Sequence, residues 1–182
     1  MLIKPASSYA ASLAEASASA SRIPAISQHE PDMDMGDAYS IQGERNAQVL
    51  ASGAQQIGWK VGFSAKPVMA MLHVNDPVYG MLTDDRVFSA DQAIPAGRLN
   101  APRLEAEIAF VMAQDLAGPD CTHEDVLAAT AHVSPAIELV DGRFLPQDPE
   151  TGAGPKALDM VADNVAFGGL VMGKEQHDPQ RP

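Results

Sequence analysis

Glu105 and Glu107 stand two residues apart in Arg103-Leu104-Glu105-Ala106-Glu107-Ile108-Ala109-Phe110, with apolar residues alternating between them. On a β-strand, residues i and i+2 project from one face. The two carboxylates would then sit side by side, turned away from Leu104, Ala106 and Ile108. Ionised carboxylates that close repel one another unless positive charge lies between them. A third carboxylate, Glu138, stands inside the apolar run Ala136-Ile137-Glu138-Leu139-Val140. Three such oxygen ligands suit a hard divalent cation, Mg²⁺ or Mn²⁺. A plainer reading stands beside this one. Leu104, Ile108 and Val111 also fit helical spacing, Ala and Glu favour helix, and a pair of Glu on either element is commonly just solvated.

Lys60 lies in the middle of the apolar segment Ile57-Gly58-Trp59-Lys60-Val61-Gly62-Phe63. A lysine in such a strand must pair, reach water with its tip, or lose its charge. Near a bound cation its pKa falls, which fits it to move protons close to neutral pH. The alternative is an edge-strand lysine that simply reaches solvent. Other groups carry less. His73 and His132 lack ligand spacing, and His132 is expected at a helix end, where it would complement the C-terminal dipole. Ser134 has no Gly-x-Ser-x-Gly context, and no phosphate-binding glycine motif occurs. Asp141 and Arg143 would either support Glu138 or form a surface ion pair of little consequence. Asp163-Asn164 either orients backbone or substrate, or marks a turn.

The elements that must position these groups follow from punctuation and periodicity. Residues 6–22 are rich in Ala and Ser and read as a modest helix or as low-complexity chain. Pro24 and Pro31 bracket an extended linker. Asp34 or Asp37 caps a second helix with Tyr39, Ile41, Val49 and Leu50 as apolar contacts, and Gly53 is its expected stop. The glycines flanking Lys60 imply close backbone approach to a ligand or another strand. A helix over residues 64–72, with Pro67 in its first turn, precedes a turn at Asn75-Asp76-Pro77 and a strand at Val78-Tyr79-Gly80-Met81-Leu82. Loops and a strand near Arg86-Val87-Phe88 follow. Thr122 and Asp125 form a capping box for a helix over residues 124–132, and residues 134–140 read as a strand. Residues 145–156 form an exposed loop, order returns at 157–172, and 174–182 is a polar tail.

Composition narrows the function classes. The 182 residues suit one domain, or a domain with a short arm, and 46% hydrophobic content is enough for a core. A net charge of −12 argues against nucleic acid or anionic membrane as partners. Cys121 is the only cysteine, so no intrachain disulfide can form, and a reducing compartment, the cytoplasm, is the expectation. The first 21 residues lack the apolar centre of a secretory signal.

Taken in order, Gly58-Trp59-Lys60-Val61-Gly62, Pro77-Val78-Tyr79-Gly80, Pro102-Arg103-Leu104-Glu105-Ala106-Glu107-Ile108-Ala109-Phe110-Val111, Pro135-Ala136-Ile137-Glu138-Leu139-Val140-Asp141 and Val161-Ala162-Asp163-Asn164 carry a resemblance. Across about residues 37–173 the chain resembles the 2-oxo-4-pentenoate hydratase group of the fumarylacetoacetate hydrolase superfamily. Ile23-Pro24-Ala25-Ile26-Ser27, Asp148-Pro149-Glu150-Thr151 with Lys156, and Asp163-Asn164-Val165-Ala166 are most similar to the subgroup that hydrates 2-oxohept-3-ene-1,7-dioate.

The resemblance implies an α+β fold: a helical N-terminal arm (1–55), a mixed β-rich core of the superfamily's C-terminal type (56–173, incomplete), and a loose tail (174–182). It implies Glu105, Glu107 and Glu138 as metal ligands and Lys60 as the proton-moving group. Ser64, Tyr79 and Asp163 are the expected substrate contacts. The implied reaction is addition of water to a 2-hydroxy-2,4-dienoate, giving a 4-hydroxy-2-oxo acid. One position departs: Val78 stands where the hydratases usually carry Asp, and it resembles the sister 4-oxalocrotonate decarboxylases. Family chains continue past the Asp-Asn segment with glycine-rich strands, so a truncated copy is expected here. Such a copy could act alone or as an inactive partner subunit, in a family of oligomers and hydratase–decarboxylase complexes.

Overall fold

The computed structural model describes residues 2–181, with the backbone alone at Ala96. The chain opens with three helices, α1 (Ala6–Ala18), α2 (Ile26–His29) and α3 (Met35–Ala51). Buried Ala10, Leu13 and Ala16 recur every three residues along α1, which gives an otherwise polar helix one apolar stripe. Asp34 caps α3: the Asp37 backbone N–H donates to Asp34 Oδ1 at 2.8 Å, and the Asp37 carboxylate accepts from the Asp34 N–H. The buried face of α3 is Ala38, Ile41, Gln42 and Arg45, so two of its four inward positions are polar. Leu50, expected among the apolar contacts, is exposed.

The segment before α1 is tied down by a buried carboxylate. Glu30 accepts from the Ile3 N–H at 2.8 Å, from the Lys4 N–H at 3.1 Å and from the Tyr9 hydroxyl. Burial, then the Glu30 bond and charge, push the Tyr9 phenol up to about 12. Burial acts upward on Glu30 too, but the Tyr9 hydroxyl and the two backbone N–H groups outweigh it and hold the carboxyl below its ordinary value.

Strand β1 (Gln56–Gly62) pairs antiparallel with β2 (Val78–Thr83) as a two-stranded sheet, with α4 (Lys66–Leu72) between them in sequence. A second sheet has the order β3 (Val87–Phe88), β6 (Phe167–Met172), β5 (Thr130–Val140), β4 (Arg103–Met112). Its β3–β6 pair is parallel and the rest antiparallel, so the protein is α+β with mixed pairing. Residues 103–112 are a strand, which removes the helical alternative. The helix α5 (His123–Ala129) carries the expected capping box, Thr122 with Asp125. It stops three residues short of the expected end. Thr130 and His132 already pair with Met112 and Val111, because extending the β4–β5 ladder satisfies their backbone groups. His132 is therefore a strand residue, and its expected helix-dipole role does not apply. The tail is also less loose than expected, since His177 exchanges two 2.9 Å backbone hydrogen bonds with Val133.

The main core lies between the helices and α6 (Ala157–Ala162). Leu13, Ile26, Ile41, Val161 and Ala162 meet there with Val78, Phe144 and Val165. The N-terminal helices therefore pack directly on the residues that follow β5. The opposite side of the molecule is different. Leu104 and Ile108 on β4 are 70% and 67% exposed, and Phe110, Met112 and Ile137 share that open apolar face. No helix among the described residues is long and apolar enough to cross a membrane.

Candidate active site

Strand register brings the three glutamates together. Glu105 on β4 stands directly opposite Glu138 on β5, and Glu107 opposite Ala136. Alternation puts all three side chains on one face of the sheet, the face opposite Leu104 and Ile108. Carboxylate oxygens from the three lie within 4.8 Å of one another. Glu105 and Glu107 are exposed, whereas Glu138 is buried. Burial pushes the Glu138 carboxyl up; Lys60 opposes this, and the charges of Glu105 and Glu107 add to it. A divalent cation among these oxygens would relieve that crowding, so the donor set fits a hard metal.

Lys60 reaches the same point from the other sheet. On β1 it pairs with Gly80 of β2, and its Nζ donates to Glu138 Oε1 and, at 3.1 Å, to the Val165 carbonyl. Both side chains of the Lys60–Glu138 pair are nearly buried. Lys60 and Glu138 are thus held together in a largely dry place by a charge-assisted hydrogen bond.

The Val165 carbonyl is there because the chain takes an unusual path. Asn164, Val165 and Ala166 all have left-handed backbone, with φ of 55°, 52° and 54°. Asn164 tolerates this region, but for Val165 and Ala166 it costs roughly 1–2 kcal/mol each, and for a β-branched valine it is a genuine outlier. Asn164 holds the turn in place. Its side-chain amide accepts from the Met81 N–H at 2.7 Å and donates to the Met81 carbonyl at 2.8 Å, clamping the turn onto β2. Gly80 permits the approach: a Cβ there would meet the Asn164 carbonyl oxygen at 2.8 Å. Gly62 does the same for Val165, whose Cγ1 would lie 2.7 Å from an added Cβ. Of the two glycines flanking Lys60, Gly62 therefore makes its close approach to this turn, whereas a Cβ at Gly58 would meet only Leu82 Cδ1 at 3.8 Å, an ordinary contact.

Asp163 anchors the turn from below. Both of its oxygens accept from Arg143, Oδ1 from Nε at 2.7 Å and Oδ2 from the backbone N–H at 3.0 Å. Arg143 Nη2 also donates to the Asp163 carbonyl. Arg143 is fully buried, which excludes the surface ion pair as its role. Asp141 does not pair with it. Its carboxylate accepts from the Asn100 and Ala101 N–H groups, fixing the entry into β4.

Among the expected substrate contacts, Asp163 has no exposed surface and both its oxygens are engaged by Arg143, so it cannot touch a substrate. Tyr79 lies on the opposite face of β2 from Gly80, the partner of Lys60, and stacks on Tyr39 with ring centroids 4.7 Å apart. Alternation along the strand therefore turns it away from Lys60. Ser64 is exposed just beyond β1. Sequence reasoning missed the buried roles of Arg143 and of the Val165 carbonyl. The first pairs across twenty residues, and the second is a backbone group with no side-chain signature.

No protein-family model matches the chain. It is 41% identical over 152 residues to a 2-oxo-hept-4-ene-1,7-dioate hydratase of Escherichia coli, covering 84% of this chain and 57% of that protein. It is 41% identical over 169 residues to a 2-hydroxyhexa-2,4-dienoate hydratase of Comamonas testosteroni, covering 92% and 62%. Its fold superposes with a TM-score of 0.90 on a solved 4-oxalocrotonate decarboxylase from Pseudomonas putida G7, complexed with magnesium and adipate. That match is 26% identical and covers 100% of this chain and 67% of the other. The chain spans less than two thirds of the length of these two hydratases.

Proposed function

We propose that this chain, which belongs to the 2-oxo-4-pentenoate hydratase family of the fumarylacetoacetate hydrolase superfamily, carries the metal-and-lysine centre of a hydratase. The substrate would be a 2-hydroxy-2,4-dienoate, best a seven-carbon diacid, as the name of the hydratase relative from Escherichia coli suggests. The product would be a 4-hydroxy-2-oxo acid. One observation carries the reading: Glu105, Glu107 and Glu138 offer oxygens within 4.8 Å of one another while Lys60 donates to Glu138.

These three glutamates would hold Mg²⁺ or Mn²⁺, and the magnesium complexed with the decarboxylase of the same fold supports a divalent ion. Bound there, the cation would supply Lewis acidity to the oxygens of a 2-oxo acid. The residues do the rest. Glu105 and Glu107, both exposed, would serve only as ligands of that cation. The Lys60–Glu138 pair, shielded from water, passes one proton as the dienol becomes the ketone and returns it as water adds. The net change is H and OH from one water across a C=C bond, with no oxidant or reductant. Lys60 and the cation also provide the positive charge that a protein of net charge −12 needs to hold a dianion. We place this chemistry in the cytoplasm, in aromatic breakdown, within an assembly of like or related subunits.

The test is calorimetric titration of the chain with Mg²⁺ and with Mn²⁺, followed by product analysis after incubation with the dienoate. Saturable metal binding that Glu107→Gln abolishes and Lys60→Ala preserves is expected, with turnover lost in both variants. Equal Mg²⁺ affinity in Glu107→Gln would remove the ligand assignment, and unchanged turnover in Lys60→Ala would remove the lysine.

A second reading, decarboxylation of a vinylogous 2-oxo acid, is favoured by Val78. It pairs with Gly62 and is buried on the same face of the hairpin as Lys60, so an apolar group stands where the hydratase pattern has an aspartate. Release of CO₂ without a hydroxylated product would select it.

A further inference from the structure

A cavity of about 170 Å³ lies between α3 and β2, bordered by Arg45, Asn46, Ser52, Thr83, Arg86 and Arg143 among others. It is far larger than the roughly 10–15 Å³ of probe volume that one water requires. It is not the site described above. Lys60 pairs with Gly80, whereas Met81 and Thr83 alternate with Gly80 and the cavity touches them. Arg45 occupies an inward position of α3 and is only 9% exposed. Among the described residues it makes one charged contact, Nη1 to Asp163 Oδ1 at 3.5 Å, and no hydrogen bond. Asp163 is already committed to Arg143. Burial, then Arg143 and then Arg86, push the Arg45 guanidinium down to about 10 against the pull of Asp163.

A guanidinium carries five donors in a fixed fork. Among the described residues no Arg45 nitrogen is both sealed from solvent and unbonded: the fork borders the cavity, where water meets its donors, and the wall of like charge favours an anion there over water. Arg45, Arg86 and Arg143 bring three positive charges to this place, while Asp85 and Asp163 bring two negative ones. Asp85 sits half-exposed with its carboxylate 3.6 Å from Arg86 Nε, a loose pair that an incoming anion can replace. The unmet requirement is one negative charge with acceptor oxygens matched to a fork.

We propose that this cavity binds a small oxyanion, a free carboxylate or inorganic phosphate, with Arg45 as its main ligand and Arg86 at its mouth. The site is separate from the metal-and-lysine centre, with which it shares the supporting residues Arg143 and Asn164, and is filled from the α3 side of β2. Thr83 adds a hydroxyl at its edge; the Ser52 hydroxyl, also there, donates to the Val49 carbonyl at 2.7 Å.

The test is a titration of the full chain, at constant ionic strength balanced with chloride, with sodium acetate in one arm and sodium phosphate in the other. Calorimetry and thermal melting are read together. Saturable, single-site binding with a rising Tm in at least one arm is expected, and the responding arm identifies the source of the oxyanion. Arg45→Gln should abolish it. Ser52→Asp, at the cavity border, places a carboxylate of the protein's own there and should weaken binding at least tenfold. A response that stays linear in both arms, or that is the same in Ser52→Asp as in the parent, overturns the site. Should Arg45→Gln fail to fold, the Ser52→Asp comparison decides alone.

Discussion

The helical side of this molecule closes over its apolar residues, and the strand side leaves them open. Leu13, Ile41 and Val161 have no exposed surface, while Leu104, Ile108 and Phe110 project from β4 with half or more of theirs in water. Yet the strand side carries the glutamates. The helical side therefore supplies the stability, and through α6 and the turn after it also the platform on which Lys60 and Glu138 meet. The acidic face of β4 and β5 is positioned by pairing to that platform rather than by a core of its own.

Breaking the platform should have the largest effect. Asp163→Ala leaves Arg143 buried without its partner, and loss of about 3–5 kcal/mol in urea denaturation is expected. Leu13→Ala removes a fully buried side chain from the helical core and should cost about 2–5 kcal/mol by the same measurement. A smaller, pH-dependent effect sharpens the helical side further. Glu30 is held below its ordinary value, so the stability it gives is present above that ordinary value and is lost as the pH falls through the held one. Tyr9 is raised to about 12, so its contribution is whole below about 10 and is lost as the pH rises through about 12. Amide-exchange protection at Ile3 and Lys4 should fall in both windows, and Glu30→Gln should remove the acid limb. The smallest effect belongs to the open side. Ile108→Ala should change stability by no more than about 0.5 kcal/mol. A loss there as large as that of Leu13→Ala would mean that the two sides share one core.

What could be read in the sequence was what is local. Thr122 with Asp125 announced one helix start because a capping box is complete within four residues, and Asp34 or Asp37 announced another, which the structure resolves as a box between the two. The alternation around Glu105 and Glu107 announced a strand, since period two survives whatever the strand packs on. The end of α5 was misjudged because pairing with β4 decides it, and propensity carries no record of that. Bringing Lys60 to Glu138 spans 78 positions. Only the odd placement of each charge within an apolar run, and the family likeness, joined them beforehand. Arg45 had a usable signal: Ala38, Ile41, Gln42 and Arg45 keep helical spacing, and a polar residue in such a stripe is either paired or waiting for a ligand.

One more property follows from β4. It is a ten-residue strand on the edge of its sheet, with one bare apolar face and, on the other, Arg103, Glu105 and Glu107. Mutual repulsion between those acids is what discourages two copies from zipping edge to edge. Any divalent ion that satisfies them also silences that repulsion, so the colloidal behaviour of the chain is tied to its loading: light scattering should climb as Mg²⁺ is added and fall again with a chelator.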